Sequence, residues 1–450
     1  MKKLLLIAIV LFASLGLVAC KEGDTTPTDP SVPTEPSNNG QRIDFGDQII
    51  QKTSITVWID DEAGEYMEAV IAEFNKVYPN IIVNHEHYGS VDAREMLKTF
   101  GPSGNGADVF QFPHDHLAQA VLEDLVYPLP TATKTKLEAR AHELGLSIAT
   151  LSYDESAKSF DPASPNAVER LYAVPMSIES VGLFYNLDMI TTPAATFEDL
   201  FAAADVWNAT ADPGVFYLGT SSHWADSYFT QAIYSAFGFY PFGENLDDPS
   251  AVGFETPEAI AALTWIRNEL KPRTTGNGSH NSVAGGSLFE QGEIPYVIAG
   301  PWNHEAYKNA GLNYAVAPMP TINGNATQTF AGAMMAAVYK YSDYKEEAIA
   351  FVEFLNSDIA MQLQYEYKGK LPALKSELLE NIEGVNEDSL LMAMAEQLNS
   401  SVPMPTIPQV TYYWGPGETL LQQVWNTTAN ITTAAQEAEQ GYRTRANLAS

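Results

Sequence analysis

The 450-residue chain has one cysteine, Cys20, and few cations, with 24 Lys+Arg against 56 Asp+Glu. A lone cysteine can form neither an internal disulfide nor a cysteine zinc cage. The formal charge is −32, and −34 once residues 1–19 with Lys2 and Lys3 are removed. A phosphate backbone is repelled by such a surface, so no nucleic acid partner is expected. There is no internal repeat of roughly 20 to 50 residues. Serine elbow, His-Glu-x-x-His and nucleotide loop are also missing. Charged residues make up only 18% and aromatics 11%, which excludes a disordered chain, and 45% apolar content over this length predicts about two to three domain-sized cores.

Residues 1–20 read MKKLLLIAIVLFASLGLVAC: a basic pair, an apolar run over 4–18, then small residues. This is a secretory signal, too short and too cleavable for a membrane span. Leu17-Val18-Ala19-Cys20 resembles the bacterial lipoprotein cleavage box, in which the cysteine becomes residue one and carries a diacylglycerol through its sulfur. Residues 20–42 then follow as a lipid-anchored Pro/Thr-rich tether, with Pro27, Pro30, Pro33 and Pro36 at every third position. That spacing suits polyproline II at about 3.1 Å per residue, a reach of roughly 70 Å.

The body begins with SITVWI at 54–59, followed by Met67, Val70, Ile71, Phe74 and Val77 at helical spacing, then Pro79 and a second apolar run at 81–83. Strand, helix and strand in about 30 residues predict a βαβ unit and a parallel sheet. A helix over 91–100 and a strand over 107–112 extend it to a doubly wound α/β arrangement. Strands are also expected at 178–185, 216–219 and 294–300. Helices are expected near 197–204, 229–237 and 257–270, with amphipathic helices over 345–364 and 418–440. The Gly/Ser/Asn stretch over 274–287 lacks the Gly-Lys-Ser/Thr ending of a phosphate cradle and reads as a surface loop.

Three clusters set aromatics beside carboxylates or turn glycines after strands: Phe112-Pro113-His114-Asp115-His116, Asp226-Ser227-Tyr228-Phe229 and Gly300-Pro301-Trp302. Sugars need both groups, since ring C–H faces lie on flat aromatics and paired hydroxyls donate to carboxylate oxygens. Trp58 and Trp265 read as core residues, whereas Trp302 and Trp414 sit against Gly or Pro in expected turns. His85-Glu86-His87 and His114-Asp115-His116 could each turn two imidazoles to one side of a strand, but no third ligand follows by spacing, so no metal is assigned. Glu62, Asp115 and Glu179 are candidates for a glycosidase carboxylate pair.

The order of segments resembles that of the maltose/maltodextrin-binding proteins of ABC importers across nearly all of residues 54–445. It is carried by ITVWIDDEAGEY, GADVFQFPHDHL, YAVPMSIESVGLFYN, DSYFTQAIYSAFG, SLFEQGEIPYVIAGPW, NYAVAPMPTINGNATQTFAGA and PMPTIPQVTYYWGP. The resemblance implies two doubly wound α/β lobes joined by strand crossovers and closing over a sugar. One lobe would comprise 43–179 with 330–375, the other 180–329 with 376–450. It also implies a monomeric, non-catalytic receptor without cofactor, held on the outer face of the membrane by its lipid and handing an oligosaccharide to ABC permease subunits. A binding protein of the same fold for another solute, or a secreted glycoside hydrolase, remains the alternative.

Carried over by position, the resemblance makes Glu62 a hydroxyl acceptor, Phe112 a stacking aromatic, Asp115 the carboxylate after it, and Glu179 a glutamate at the first crossover. Asp226, Tyr228 and Phe229 fall on an acidic-aromatic cluster, Trp302 and Trp414 on two stacking tryptophans, and Met404 on a neighbouring contact. The pattern is broken by Ala63 in place of a lysine, His116 of an arginine, Gly415 of a tyrosine and Glu418 of an arginine. The lost tyrosine is expected to open one end of the cleft.

Overall fold

The computed structural model describes residues 53–210, 216–274 and 283–448; Cys20, the signal and the tether lie outside them. Among the described residues thirteen strands follow in chain order. They are β1 (Thr53–Ile59), β2 (Ile81–His87), β3 (Val109–Pro113), β4 (Thr150–Tyr153), β5 (Val168–Leu171), β6 (Val174–Glu179), β7 (Gly182–Asn186), β8 (Leu218–Thr220), β9 (Tyr296–Ala299), β10 (Tyr314–Ala317), β11 (Phe330–Val338), β12 (Leu371–Pro372) and β13 (Val402–Pro403). The first sheet runs β12-β6-β11-β3-β1-β2, with β13 added to β11; the second runs β10-β7-β9-β8, and β4 pairs with β5. Helices cover these sheets to make a two-lobed α/β protein.

β1, β2 and β3 form the expected parallel βαβ start, and the helix Glu65–Val77 between the first two buries Met67, Val70 and Phe74 against them. β11, however, runs antiparallel to both β3 and β6, so the first sheet is mixed rather than wholly parallel. All nine residues of β11 are buried, which is why FAGAMMAAV shows no alternation of apolar and polar positions. The single strand expected over 178–185 is two strands. β6 ends at Glu179 in the first sheet, and β7 begins at Gly182 in the second. Two expected long helices are also divided. Ser357 caps Asp358–Lys368 and Asn430 caps Ile431–Arg445 through their side-chain oxygens.

The passages between the sheets are laced together by hydroxyls. Ser180 Oγ donates to the Phe330 carbonyl at 2.8 Å and lies 2.6 Å from Thr329 Oγ1, which is 2.6 Å from Ser401 Oγ. Gln397 donates to Thr329 Oγ1 and accepts from the Met319 backbone N–H. The third passage beside 180 and 330 is thus at 401–404, not at 375. The intervening segment serves both cores, giving Ile382, Val385 and Leu391 to the first and Met394 to the cluster around Phe184.

Asp61, in the turn after β1, accepts the Met67 N–H at 2.9 Å and so caps the helix Glu65–Val77 from outside, while its other oxygen pairs with Lys368 Nζ at 2.6 Å. Burial opposes ionisation of this carboxyl, but the bonds to Lys368 and Met67 together hold it below the usual aspartate range. Because the Asp61 side chain is 1% exposed, Lys368→Met strands a buried charge. The variant should lose about 3 kcal/mol at pH 7. Urea unfolding checks this, and the deficit should shrink as pH falls into the carboxylate range and Asp61 takes up a proton.

Candidate functional site

A cavity of about 650 Å³ opens between the two sheets. Its floor is Gly332, Ala333 and Met334 of β11, and Glu179 stands at the end of β6 beside it, in register with Gly332. On the first-lobe side β3 ends at Pro113 and turns at once into the short 3₁₀ segment His114–His116, presenting Asp115 and His116. From the second lobe come Asp226 and Tyr228, at the start of the helix Ser227–Ala236, and Trp302, in the 3₁₀ turn that follows β9. Met404 and Trp414 complete the wall, and Trp414 occupies the first position of a helix (Trp414–Asn426) rather than a turn.

Eight of the eleven sequence-derived ligand residues therefore converge on one cavity: Asp115, His116, Glu179, Asp226, Tyr228, Trp302, Met404 and Trp414. The other three do not line it. Phe112 is wholly buried, its ring 4.9 Å from that of Phe110 in the first core, because that face of β3 turns inward. Glu62 is exposed in the turn before the first helix, and Asp60, two residues earlier, takes the place on the cavity wall. Phe229 packs edge-on behind Trp302, with ring centroids 6.1 Å apart, and supports that ring.

Geometry fixes the polar groups. Asp226 Oδ1 caps its helix by accepting the Tyr228 N–H at 2.9 Å, and Oδ2 accepts from the Ser222 hydroxyl at 2.7 Å. Trp414 Nε1 donates to Asp115 Oδ2 at 3.0 Å, tying the two walls together. Burial first, and then the carboxylates of Glu179, Asp226 and Asp115, push the Tyr228 hydroxyl well above the tyrosine range, so it stays neutral and can donate. Burial likewise outweighs Asp115 and holds His116 below the usual histidine range, so a neutral imidazole stands where the maltodextrin-binding pattern has a cation. Trp302 is 38% exposed and its ring lies directly over Gly300, where any side chain would collide with it.

Sequence reasoning missed Asp60, Ser90, His223 and Lys370 on this cavity. Asp60 follows directly from strand register, one residue past β1. Lys370 had a weaker signal, the glycine between two lysines that closes the helix Asp358–Lys368. Gly415 is not on the cavity; an added Cβ there would meet the Arg445 guanidinium, so its lost side chain does not widen the cleft. Glu418 does line the cavity and lies 3.8 Å from His223. The histidine pairs are separate structural ties. His85 Nε2 is 3.0 Å from the Ile59 carbonyl, and His114 accepts the Ala333 N–H at Nδ1 while Nε2 faces the Met404 carbonyl. Among the described residues no group of three or more His, Cys, Asp or Glu is placed to hold a metal ion.

Residues 69–393 match the family model described as bacterial extracellular solute-binding protein. The chain belongs to that family. Among relatives of this solute-binding protein, it is 29% identical over 384 residues to the galactooligosaccharide-binding protein of Bacillus subtilis (strain 168), covering 83% of this chain and 84% of the other. It is 26% identical over 444 residues to a maltooligosaccharide ABC transporter solute-binding lipoprotein of Streptococcus pneumoniae (strain R6), with 97% and 96% coverage. A solved cyclo/maltodextrin-binding protein complexed with maltotetraose superposes with a TM-score of 0.71 at 25% identity, over 89% of this chain and 98% of that one.

His114 is buried between Ala333 and Met404, and its pKa is lowered from the ordinary 6.5, chiefly by burial against the opposing pull of Asp115. Between the folded and unfolded values the unfolded chain binds the extra proton, so stability falls as pH drops below about 6.5. His114→Gln, which keeps a donor towards Met404, should flatten the fall in melting temperature between pH 7 and 5. A parallel slope in wild type and variant would show that His114 does not carry it.

Proposed function

We propose that this solute-binding protein is a lipid-anchored, non-catalytic receptor that captures malto-oligosaccharides outside the cell and delivers them to an ABC permease. The observation that carries the sugar reading is the pairing of surfaces in one cavity: Trp302, Trp414 and Tyr228 offer ring faces beside the carboxylates of Asp115, Glu179 and Asp226. Flat apolar faces alternating with hydroxyl acceptors match a glucan, whose rings are apolar above and below and polar at their edges. The maltooligosaccharide-binding relatives and the maltotetraose complex support the same class. Among the described residues, five carboxylates and a single lysine on the wall favour neutral over anionic ligands.

A second reading, a galactosyl oligosaccharide, is favoured by Glu418 and His223 on the wall, where the maltodextrin-binding pattern has an arginine at 418, and by the galactooligosaccharide-binding relative. The neutral imidazole of His116, in place of a cation, weakens the hold on a disaccharide, whereas a longer chain regains contact along the aromatic wall. Calorimetric titration of the soluble form lacking residues 1–42 with maltose, maltotriose, maltotetraose and a galactosyl trisaccharide tests both readings. Maltotriose should bind at least about tenfold more tightly than maltose, a difference of about 1.4 kcal/mol, and be recovered unhydrolysed. Tighter binding of the galactosyl sugar would establish the second reading.

The anchor rests on Leu17-Val18-Ala19-Cys20 and the proline-spaced segment behind it. Two or more acyl chains hold a protein stably on a membrane, where one does not. Cys20→Ala should release the protein from the membrane fraction or leave it unprocessed. Unchanged membrane fractionation of processed protein would refute the anchor.

A further inference from the structure

Among the described residues Lys370 is the only lysine or arginine on the cavity wall, and its placement is dictated by the fold. The helix Asp358–Lys368 ends at Gly369, which adopts a left-handed φ of 58°, and the chain then enters β12. This turn sends two lysines in different directions. Lys368 is consumed by Asp61, while Lys370 faces the cavity. Leu371 pairs with Ile178 and Pro372 with Ser177 in antiparallel register, so the next position places Lys370 opposite Glu179. On its other flank Glu179 is in register with Gly332, which has no side chain.

The two charged groups stop short of each other. Lys370 Nζ lies 3.6 Å from Glu179 Oε2, beyond a normal hydrogen bond, and that oxygen is buried with no hydrogen-bond partner. The side chains are 19% and 12% exposed, so bulk water screens neither fully. A buried carboxylate oxygen without a donor is costly, and a wide ion pair recovers only part of that cost. A hydroxyl oxygen placed at ordinary distance from both groups would satisfy them together, donating its proton to Glu179 and accepting from the ammonium.

We infer that Lys370 is a specificity-determining residue which, with Glu179, reads one ligand hydroxyl as donor and acceptor at once. This rests on the oligosaccharide reading above. A hydroxyl is the group on a neutral sugar that does both, so the pair would select a hydroxyl in one orientation against its loss or its epimer. Lys370→Met would then cost affinity for the intact sugar and also erase the penalty for removing that hydroxyl. A lysine that merely neutralised Glu179 would affect all sugars alike.

The test is a cycle between protein and ligand. Wild type, Lys370→Met and Lys370→Arg are titrated with maltotriose and its single-position deoxy analogues, or with the galactosyl series if wild type binds that instead. Melting temperatures establish that each variant is folded, and Lys370→Arg, which keeps the charge and donor, should retain the deoxy penalty that Lys370→Met loses; a Lys370→Arg variant that discriminates no better than one lacking the cation would count against the inference. Lys370→Met should lower affinity for the parent sugar at least about tenfold, the scale of a charged hydrogen bond. One deoxy analogue should bind wild type much more weakly than the parent yet bind Lys370→Met about as well. Equal loss for the parent and every analogue, or no loss, overturns the inference while leaving the sugar reading intact. Failure of wild type to bind either series overturns the sugar reading and this inference with it.

Discussion

The cleft depends on the knot of buried hydroxyls where the chain passes between its two sheets. Ser180, Thr329 and Ser401 belong to three separate passages, yet their oxygens lie within hydrogen-bond distance of one another, with Gln397 bridging to Met319 of the second lobe. Ser180 and Thr329 are fully buried, so leaving either hydroxyl unpaired would cost about 1 to 3 kcal/mol. Keeping all of them paired restricts how the passages can shift relative to one another. Glu179, Gly332 and Met404 sit within a few residues of the knot, so the same bonds that join the lobes also aim the floor of the cavity.

The walls that rise from these passages differ in their rings. The first lobe supplies the polar groups Asp60, Ser90, Asp115 and Lys370. The second supplies Tyr228 and Trp302 beside His223, Asp226 and Glu418, with Trp414 bonded across to Asp115. The aromatic wall is itself supported, since Phe229 stands edge-on to Trp302 and Phe330 edge-on to Trp414. These perpendicular contacts hold the two indole rings in place on the wall. The carboxylates beside them do more than accept. They reinforce burial in keeping Tyr228 protonated, so the wall presents a phenolic donor among acceptors.

Much of the architecture was legible where periodicity was clean. The alternation of SITVWI and the Met67, Val70, Phe74 stripe located the first strand and helix because one face of each is buried. β11 was not recognised as a strand, since a strand buried on both faces carries no alternation, and FAGAMMAAV could equally have been a helix. The apolar run over 178–185 hid a change of sheet at Ser180, because residues on both sides of a passage between cores are apolar. In the site, the aromatic and acidic clusters together with the family resemblance placed eight residues on the cavity. It misjudged Phe112, for which strand phase decides between core and cleft, and Glu62, for which turn geometry decides. Lys370 left only the weak signal of a glycine between two lysines, because its role comes from pairing with a strand nearly two hundred positions earlier.

The cleft is arranged to hold one oligosaccharide from both sides at once. Amide hydrogen exchange of the soluble form, with and without saturating maltotriose or whichever sugar it binds, reads this out segment by segment. Simultaneous protection is expected for the segments around 113–117 and 179–182 in the first wall and around 226–230 and 300–304 in the second. Protection confined to one wall, or lying away from the cleft, would contradict it.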